Sequence, residues 1–426
     1  MRTPHFSFLI LAIAGMTALS IPARAVMGQS VATDRVTDRH SRNVQFLGQM
    51  PLGGEGRSLA VHLDQAPDRP FVYTGGPGHI TVLDIARPAF PVEQVSVSTG
   101  DHAVQALTSF RHDGRSFLVG ATTGGAAPGL VWDVTDPSRP MEMARMHAAS
   151  QPESGFVNVF AYKASGGQSW LFAAGGGAIH VYAASDLAQG RADPAWTIEL
   201  PEPVPGLAYG FKDVYAAWHA ETETDRLYAA GAGGYFVYDI TDASAPAIVT
   251  IVNSAAVQVG SSIVATPDGT HITTTAGYAT APLRIFDLRP ALDGTVSRVR
   301  TAAGAWTATW QHNLERHAVR WPFIFVAAKE DGLQVVNMRN PFEPYTDAFF
   351  HTWQGPLPAT GQPSIGAQDV DVRNADGLIA VVDLHTGLYL LRVEAFDSWD
   401  GRGWGLPNVS SVQNWTDGPV GAESWN

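Results

Sequence analysis

One phrase of this chain reads Val131-Trp132-Asp133-Val134-Thr135-Asp136-Pro137-Ser138-Arg139-Pro140. It consists of a short apolar run, an Asp or Asn, and a turn that contains Pro. Further copies place the acidic or amide residue at Asp84, Asp239, Asp287 and Asn337. The spacings are 133−84 = 49, 287−239 = 48 and 337−287 = 50 residues. A fixed period of this length indicates one supersecondary unit that is stacked repeatedly.

Each repeat contains enough strand signals for four strands. An apolar, β-branched or aromatic run such as Phe323-Ile324-Phe325-Val326 is followed by a Gly-containing turn, and the phrase comes next. The Asp of the phrase can accept hydrogen bonds from backbone amides two residues on, and Pro fixes φ, so the phrase predicts a strand end that enters a tight turn. An outer strand follows, as in Ala247-Ile248-Val249-Thr250-Ile251-Val252. Four strands per repeat at this period are typical of a β-propeller.

The repeats predict seven blades. Their phrases centre on Asp84, Asp133, Ala183, Asp239, Asp287, Asn337 and Gly387-Leu388-Tyr389-Leu390-Leu391. The third copy lacks the Asp, and the last blade ends after Val393 without an outer strand. Near the N-terminus, Asn43-Val44-Gln45-Phe46-Leu47-Gly48 is a strand with no blade of its own. We therefore predict an all-β, seven-bladed β-propeller over residues 43–396, closed by the N-terminal strand, which completes the last blade.

The segment before the propeller carries an export signal. Arg2 precedes the apolar stretch 6–16, and Ala23-Arg24-Ala25 supplies a small-x-small cleavage pattern, so residues 1–25 are predicted to be a signal peptide cleaved after Ala25. An uncleaved anchor is the alternative, although the apolar core is short for a spanning helix. Residues 26–42 are polar and aperiodic and predict a flexible lead-in. The expected location is periplasmic or secreted.

Composition limits the partners. The net charge is −13, and residues 1–25 contain two Arg and no acid, so the mature chain would carry −13 − 2 = −15. An acidic chain repels phosphate backbones, and nucleic acid is not expected as a partner. The chain has no Cys, which excludes disulfides, thiolate metal sites and Cys-linked lipid anchors. No stretch after residue 25 is apolar for long enough to predict a membrane span.

The repeated phrase resembles that of bacterial LVIVD-repeat proteins, exported propellers with a hydrophobic-Asp-hydrophobic-x-Asp-Pro-x-x-Pro pattern. Residues 131–140 match the pattern well, and residues 237–246 match it without the first Pro. The resemblance covers roughly residues 44–396. It implies the propeller architecture but no particular activity.

Polar residues at the start of each innermost strand are the candidate site. Propellers present these strands around a central channel, and one mouth of the channel is the usual binding place. The candidate ligand-binding residues at that mouth are Arg57, His102, Lys212, Asp213, His312, Asn313, Gln368 and Asp369. Strand alternation points one of each adjacent pair inward, and the sequence leaves open whether His102, Lys212, His312 and Gln368 or the residues one later face the axis.

These residues admit three interpretations: groups satisfied by channel water, a small-ligand site, or a metal site with His102, His312, Asp213 and Asp369 as donors. No nucleophile, base and oxyanion arrangement can be assembled from the motifs. We therefore expect an exported binding or scaffold protein without a cofactor, which recognises a protein, carbohydrate or other small molecule at one propeller face. The alternative is a metal- or small-molecule-dependent hydrolase, lyase or oxidoreductase with its site in the channel.

The last segment, residues 397–426, differs from the repeats. It contains Trp399, Trp404, Trp415 and Trp425 among many Gly, Asp and Asn residues. Such a density of aromatic side chains predicts a tail that packs across one face of the propeller, and an exposed stacking surface for carbohydrate or a protein partner is the alternative.

Overall fold

The structure is a computed structural model that describes residues 39–52, 58–66, 68–125, 127–148, 155–201, 210–219, 221–278, 280–308, 313–353 and 366–394. Strands and tight turns make up most of this part of the chain, and its α-helices are single turns. The predicted signal peptide (1–25) and tail (397–426) lie outside the described residues. No described helix has the length and apolar character needed to cross a membrane.

The elements follow one another in short succession. In the first half they are β1 (Val44–Met50), β2 (Ala60–Leu63), β3 (Phe71–Asp84), β4 (Val92–His112), β5 (Arg115–Thr123), β6 (Gly129–Asp133), β7 (Met141–Arg145), β8 (Asn158–Lys163), β9 (Ser169–Gly175), β10 (Ala178–Ala183), α1 (Ala184–Leu187), β11 (Trp196–Glu199), β12 (Phe211–His219) and β13 (Thr224–Gly231). In the second half they are β14 (Gly234–Asp239), β15 (Ala247–Val252), β16 (Gly260–Ala265), β17 (His271–Ala276), β18 (Leu283–Asp287), α2 (Arg289–Leu292), β19 (Arg298–Val299), β20 (Gly304–Trp306), β21 (His317–Arg320), β22 (Phe323–Ala327), β23 (Leu333–Asn337), β24 (Tyr345–Phe350), β25 (Ala367–Val372), β26 (Ile379–Asp383) and β27 (Gly387–Val393).

These strands form six small sheets arranged in a ring, which is a β-propeller. In chain order the sheets are β2-β3-β4-β5-β6-β7, β8-β9-β10-β11, β12-β13-β14-β15-β19, β16-β17-β18-β20, β21-β22-β23-β24 and β25-β26-β27-β1. The ladders are antiparallel, apart from the short parallel pair of β15 with β19. The described strands form six sheets because β3 and β4 are long continuous strands that keep six strands in one sheet, so the predicted count of seven blades is not confirmed.

The N-terminal strand closes the ring. β1 pairs antiparallel with β27 over Val44↔Val393 to Met50↔Leu388 and supplies the outer strand of the sheet β25-β26-β27. This is the pairing that the sequence predicted. The outer edge of β27 would otherwise be open to pairing with other chains.

The described part of the predicted lead-in, residues 39–42, is bound to a neighbouring sheet and is not a free segment. Ser41 donates its amide to Phe349 O (3.1 Å), and His351 donates its amide to Arg39 O (2.8 Å), so this segment covers the edge of β24. The Arg39 guanidinium carbon lies 5.0 Å from the ring centre of Phe350 and 5.6 Å from that of Phe46, distances typical of cation–π contacts. The sequence did not show this because the unpaired edge belongs to a strand about 310 residues away.

The repeated phrase forms the predicted turn. Asp84, Asp133, Asp239 and Asp287 each accept a hydrogen bond from the backbone amide two residues on, at 2.7, 2.9, 2.9 and 2.9 Å, and Asn337 does so at 3.0 Å. In the third repeat, where Ala183 replaces the Asp, the helix α1 follows instead. We call the side of the ring that carries these turns the turn face, and the opposite side, where the innermost strands begin, the mouth face.

The core lies between the faces of neighbouring sheets. In one such layer Phe172 and Val181 of one sheet pack with Val214 and Leu227 of the next. Each strand carries apolar residues on both of its faces, because a propeller sheet is covered by a neighbouring sheet on each side. These residues form the core layers. This packing holds the innermost strands in place around the axis.

Candidate functional site

A cavity of about 130 Å³ lies among the innermost strands. Each repeat contributes a short segment to its wall: 61–62, 107–108, 158–160, 213–215, 262–264, 316–320 and 369–371. Since these segments come from all around the ring, the cavity belongs to the central channel. Its wall is mixed, with charged residues next to Phe160, Val264 and Tyr215.

Two of the predicted site residues meet in this cavity, Asp213 and Asp369. For these two strands the residue one later than Lys212 and Gln368 faces the axis, which resolves the alternation that the sequence left open. His102, Lys212, Asn313 and Gln368 are not among the described residues of the cavity wall. Arg57 and His312 lie outside the described residues.

His102 lies in the middle of β4, and its side chain is not on the cavity wall. Its Nδ1 donates to Thr99 O (2.8 Å), and its Nε2 accepts the amide of Ala127 (3.2 Å). The cause is the long strand β4, whose middle carries His102 while the cavity is reached only at Leu107 and Thr108. The described structure therefore does not place His102 on the wall of this cavity, and its ring holds the loop that contains Ala127.

Lys212 and Gln368 are the second residues of β12 and β25, and Asn313 lies before the start of β21. Gln368 donates its side-chain amide to Gly366 O (3.0 Å). Burial lowers the pKa of Lys212, and the nearby Glu315 opposes that shift. The side-chain oxygen of Asn313 is buried without a hydrogen-bond partner in the described structure.

The cavity carboxylates join one sheet to the next. Asp213, Asp369 and Asp371 each accept the amide of the following residue and an amide from the innermost strand of the neighbouring sheet. The two distances are 3.0 and 2.8 Å for Asp213 with Val214 and Ile263, 2.9 and 3.0 Å for Asp369 with Val370 and Val61, and 2.8 and 2.9 Å for Asp371 with Val372 and Leu63. Adjacent sheets share no ladder here, so these carboxylates satisfy amides that strand pairing leaves unbonded.

Two arginines point into the same region. Arg316 is partly exposed and donates to Val157 O (3.0 Å), which belongs to a segment 159 residues earlier in the chain. Its charge acts on both Asp213 and Asp369. Arg320 is buried and donates to Val319 O (2.9 Å) and to Val372 O. The arginines therefore bond to backbone carbonyls, and the carboxylates bond to backbone amides.

Burial shifts the acidity of these groups strongly. It raises the pKa of Asp369 to about 7, with Arg316 acting in the opposite direction, and it raises the pKa of Asp213. It also lowers the pKa of Arg320 and of His62. A carboxyl group with a pKa near 7 can be protonated or ionised at neutral pH.

His317 is a buried neutral base on the cavity wall. Its Nε2 lies 2.8 Å from Thr273 Oγ1, and its Nδ1 has no hydrogen-bond partner in the described structure. Burial lowers its pKa from 6.5 to about 4. The native state therefore resists protonation of this ring.

We expect His317 to make the protein sensitive to acid. Its pKa is lower when folded, so its contribution to stability is complete above pH 6.5 and is lost as the pH falls towards 4. The stability advantage of wild type over His317→Gln should shrink by about 2 kcal/mol between pH 7 and pH 5. Urea unfolding of both proteins at each pH measures this difference. The raised pKa of Asp369 makes stability change with pH in the opposite direction, but Asp369 is present in both proteins and its effect cancels in the difference. A difference that stays constant with pH would contradict a buried neutral His317.

Sequence reasoning missed most of the cavity wall. Arg316, Arg320, His317 and Asp371 were not predicted as site residues. The signals available were the alternation Asp369-Val370-Asp371 and the charged run Glu315-Arg316-His317 directly before an apolar strand.

No group of three or more His, Asp or Glu residues suited to a metal ion is found in the described part of the chain. No protein-family profile matches the chain.

Proposed function

We propose that this protein is an exported binding propeller of the LVIVD-repeat type, which recognises a small molecule or a protein partner from the mouth face and catalyses no reaction. The observation that carries this proposal is the axial cavity, whose wall is drawn from every repeat. The partly exposed Arg316 offers a cation there, and the aromatic side chains Phe160 and Tyr215 offer apolar contact area. Such mixed walls suit recognition of a small polar molecule.

The carboxylates of the cavity wall already accept hydrogen bonds from the protein, and this favours binding over catalysis. Asp213 and Asp371 each accept two or more hydrogen bonds from the protein itself. A general base or metal ligand needs a lone pair directed at the substrate or ion, and these oxygens are directed at backbone amides. We therefore assign these carboxylates to holding the channel wall in shape for a ligand.

We also propose that the ring contains seven blades. The six-stranded sheet supports this count through its registers: β4 pairs with β3 mainly through residues 92–98, with one further pair at Ala103, and with β5 through residues 103–112. β3 likewise pairs with β2 through residues 72–75 and with β4 mainly through residues 79–84. Dividing both long strands gives two four-stranded units, which have the same strand count as most of the other sheets.

A channel enzyme is the second candidate, because Asp369 has a pKa of about 7. A carboxyl group poised at neutral pH beside an arginine is a common arrangement for proton transfer. Both of its oxygens already accept backbone amides, however, so the proton would have to move without breaking the link to Val61.

Elemental analysis separates the binding proposal from a metal-dependent channel enzyme. The protein would be purified from its native compartment without chelators, and Ca, Zn, Cu and Fe would be measured against protein concentration. The binding proposal predicts less than about 0.1 equivalent of each metal. One equivalent that is retained through dialysis would support the metal-dependent enzyme and would contradict the binding proposal.

A further inference from the structure

We propose that the axial cavity binds a small aromatic carboxylic acid. Its carboxylate lies at Arg316, near the mouth face, and its ring lies deeper, against Phe160 and Tyr215. This ligand class rests on the proposed function, because it concerns the same cavity. Two features of the wall support it: the order of the side chains along the innermost strands, and the hydrogen bonds that the charged groups already make.

The cavity wall has two layers. Side chains two residues apart on a strand point to the same face, and five of the innermost segments contribute such a pair to the wall. The pairs are Asn158 and Phe160, Asp213 and Tyr215, Ser262 and Val264, Arg316 and Ala318, and Asp369 and Asp371. Because the innermost strands begin at the mouth face, the first residues of the pairs form an outer layer and the second residues form an inner layer.

The inner layer is apolar or aromatic on one side of the channel. Phe160, Tyr215, Val264 and Ala318 come from four consecutive sheets, so they are neighbours around the axis and form one continuous wall. Asp371 follows them in the next sheet. The outer layer, in contrast, contains polar or charged residues from all five segments. This arrangement suits a ligand whose apolar body lies in the channel and whose polar group is directed to the mouth face.

Two aromatic side chains contribute most of the area of this apolar wall. The ring centres of Phe160 and Tyr215 are 5.0 Å apart, with an angle of 52° between the ring planes. Phe160 is only partly buried, although it lies on an innermost strand. Aromatic rings pack well against a further ring in offset-stacked or edge-to-face geometry. The cavity volume of about 130 Å³ is close to the roughly 150 Å³ in which one benzene molecule binds, so the space suits one six-membered ring.

Arg316 is the charged group of the outer layer that can still bind a ligand. Among the described residues its guanidinium makes one hydrogen bond, from Nη2 to Val157 O (3.0 Å), and the side chain is partly exposed. A guanidinium group binds a carboxylate through two parallel N–H···O bonds. Asp213 and Asp369, in contrast, accept backbone amides with both carboxylate oxygens. The charge left to interact with a ligand is therefore positive, and it selects an anionic head group.

Calorimetric titration with four simple probes tests the ligand class. The protein would first be dialysed until native mass spectrometry shows the bare polypeptide, with circular dichroism to show that it is still folded. Benzoate should bind at least about 10-fold more tightly than benzamide, which has the ring without the charge, and than acetate, which has the charge without the ring. Benzylamine is a cation at neutral pH and should bind no more tightly than benzamide.

Two variants locate the bound probe. Arg316→Met removes the charge, so it should weaken benzoate binding about 10-fold or more and leave benzamide binding unchanged. Phe160→Leu replaces the ring with an aliphatic side chain and should weaken benzoate and benzamide to the same extent. The matched control is Arg139→Met, which removes an exposed arginine from the turn face and should leave the binding of benzoate unchanged.

The outcomes distinguish this ligand class from the proposed function. Tighter binding of benzylamine or acetate than of benzoate, or equal benzoate affinity in wild type and Arg316→Met, would overturn the aromatic acid and leave a cavity that binds another class of molecule. Absence of binding for all four probes would also overturn it. The proposed function would fail with it only if protein from the native compartment has the bare mass of its polypeptide as well.

Discussion

Deletion of residues 26–50 should abolish the cooperative unfolding of the propeller or lower its melting midpoint by roughly 10 °C or more. The deletion removes β1, which makes the antiparallel ladder with β27 and places Val44 in a core layer with Val393 and Phe350. It also removes the Arg39 contact with Phe350 and exposes the edge of β27. Calorimetry or circular dichroism during heating measures the midpoint.

The matched control is a shorter deletion, of residues 26–38, which ends before Arg39. It leaves every described contact of β1 intact, so its melting midpoint should stay within about 2 °C of wild type. Equal midpoints for the longer deletion and wild type would show that β1 is not needed for closure. Equal losses for both deletions would show that the effect does not come from β1.

Replacement of Asp213 by Ala should destabilise the protein by about 3 to 5 kcal/mol. The Asp213 carboxylate accepts the amides of Val214 and Ile263 and the side-chain amide of Asn158. Ala leaves these buried donors without an acceptor, and each unsatisfied donor costs about 1 to 3 kcal/mol. The link between the β12 and β16 sheets is lost with them.

Asp242→Ala is the control for this prediction. Asp242 also accepts a backbone amide, that of Ser244 (3.1 Å), but it lies on the exposed turn face. In the Asp242→Ala variant water can accept the hydrogen bond from the Ser244 amide. We therefore expect the free energy of unfolding to fall by no more than about 1 kcal/mol. Urea unfolding at pH 7 compares the two variants. A loss below 1 kcal/mol for Asp213→Ala would mean that the carboxylate is free for other chemistry.

The architecture could be predicted from the sequence because its signals are local and repeated. The phrase around Asp133 combines an apolar run, an Asp that bonds two residues ahead and a Pro, and each of these acts within a few residues. The need for closure could also be predicted, since the last repeat lacks a strand that the N-terminus supplies. The joining of six strands into one sheet could not be predicted, because the continuity of β3 and β4 depends on how two repeats meet.

The site could be predicted only where repeats are in register. Asp213 and Asp369 begin their strands in equivalent ways, and both reach the cavity. His102 does not, because a bulge between Val104 and Ala106 and the length of β4 move the cavity-lining positions to Leu107 and Thr108. Arg316 reaches across the channel to Val157, and no local pattern encodes a contact between residues 159 apart.

The central claim is that the axial cavity binds a ligand, and native mass spectrometry tests it most directly. Wild-type protein and Arg316→Met would be purified from the native compartment under the same mild conditions, with circular dichroism to show that both are folded. We predict that wild type carries one non-protein molecule per chain, and that Arg316→Met has lost it. Wild type at the bare mass of its polypeptide, or an equal adduct on both proteins, would contradict binding in the cavity beside Arg316.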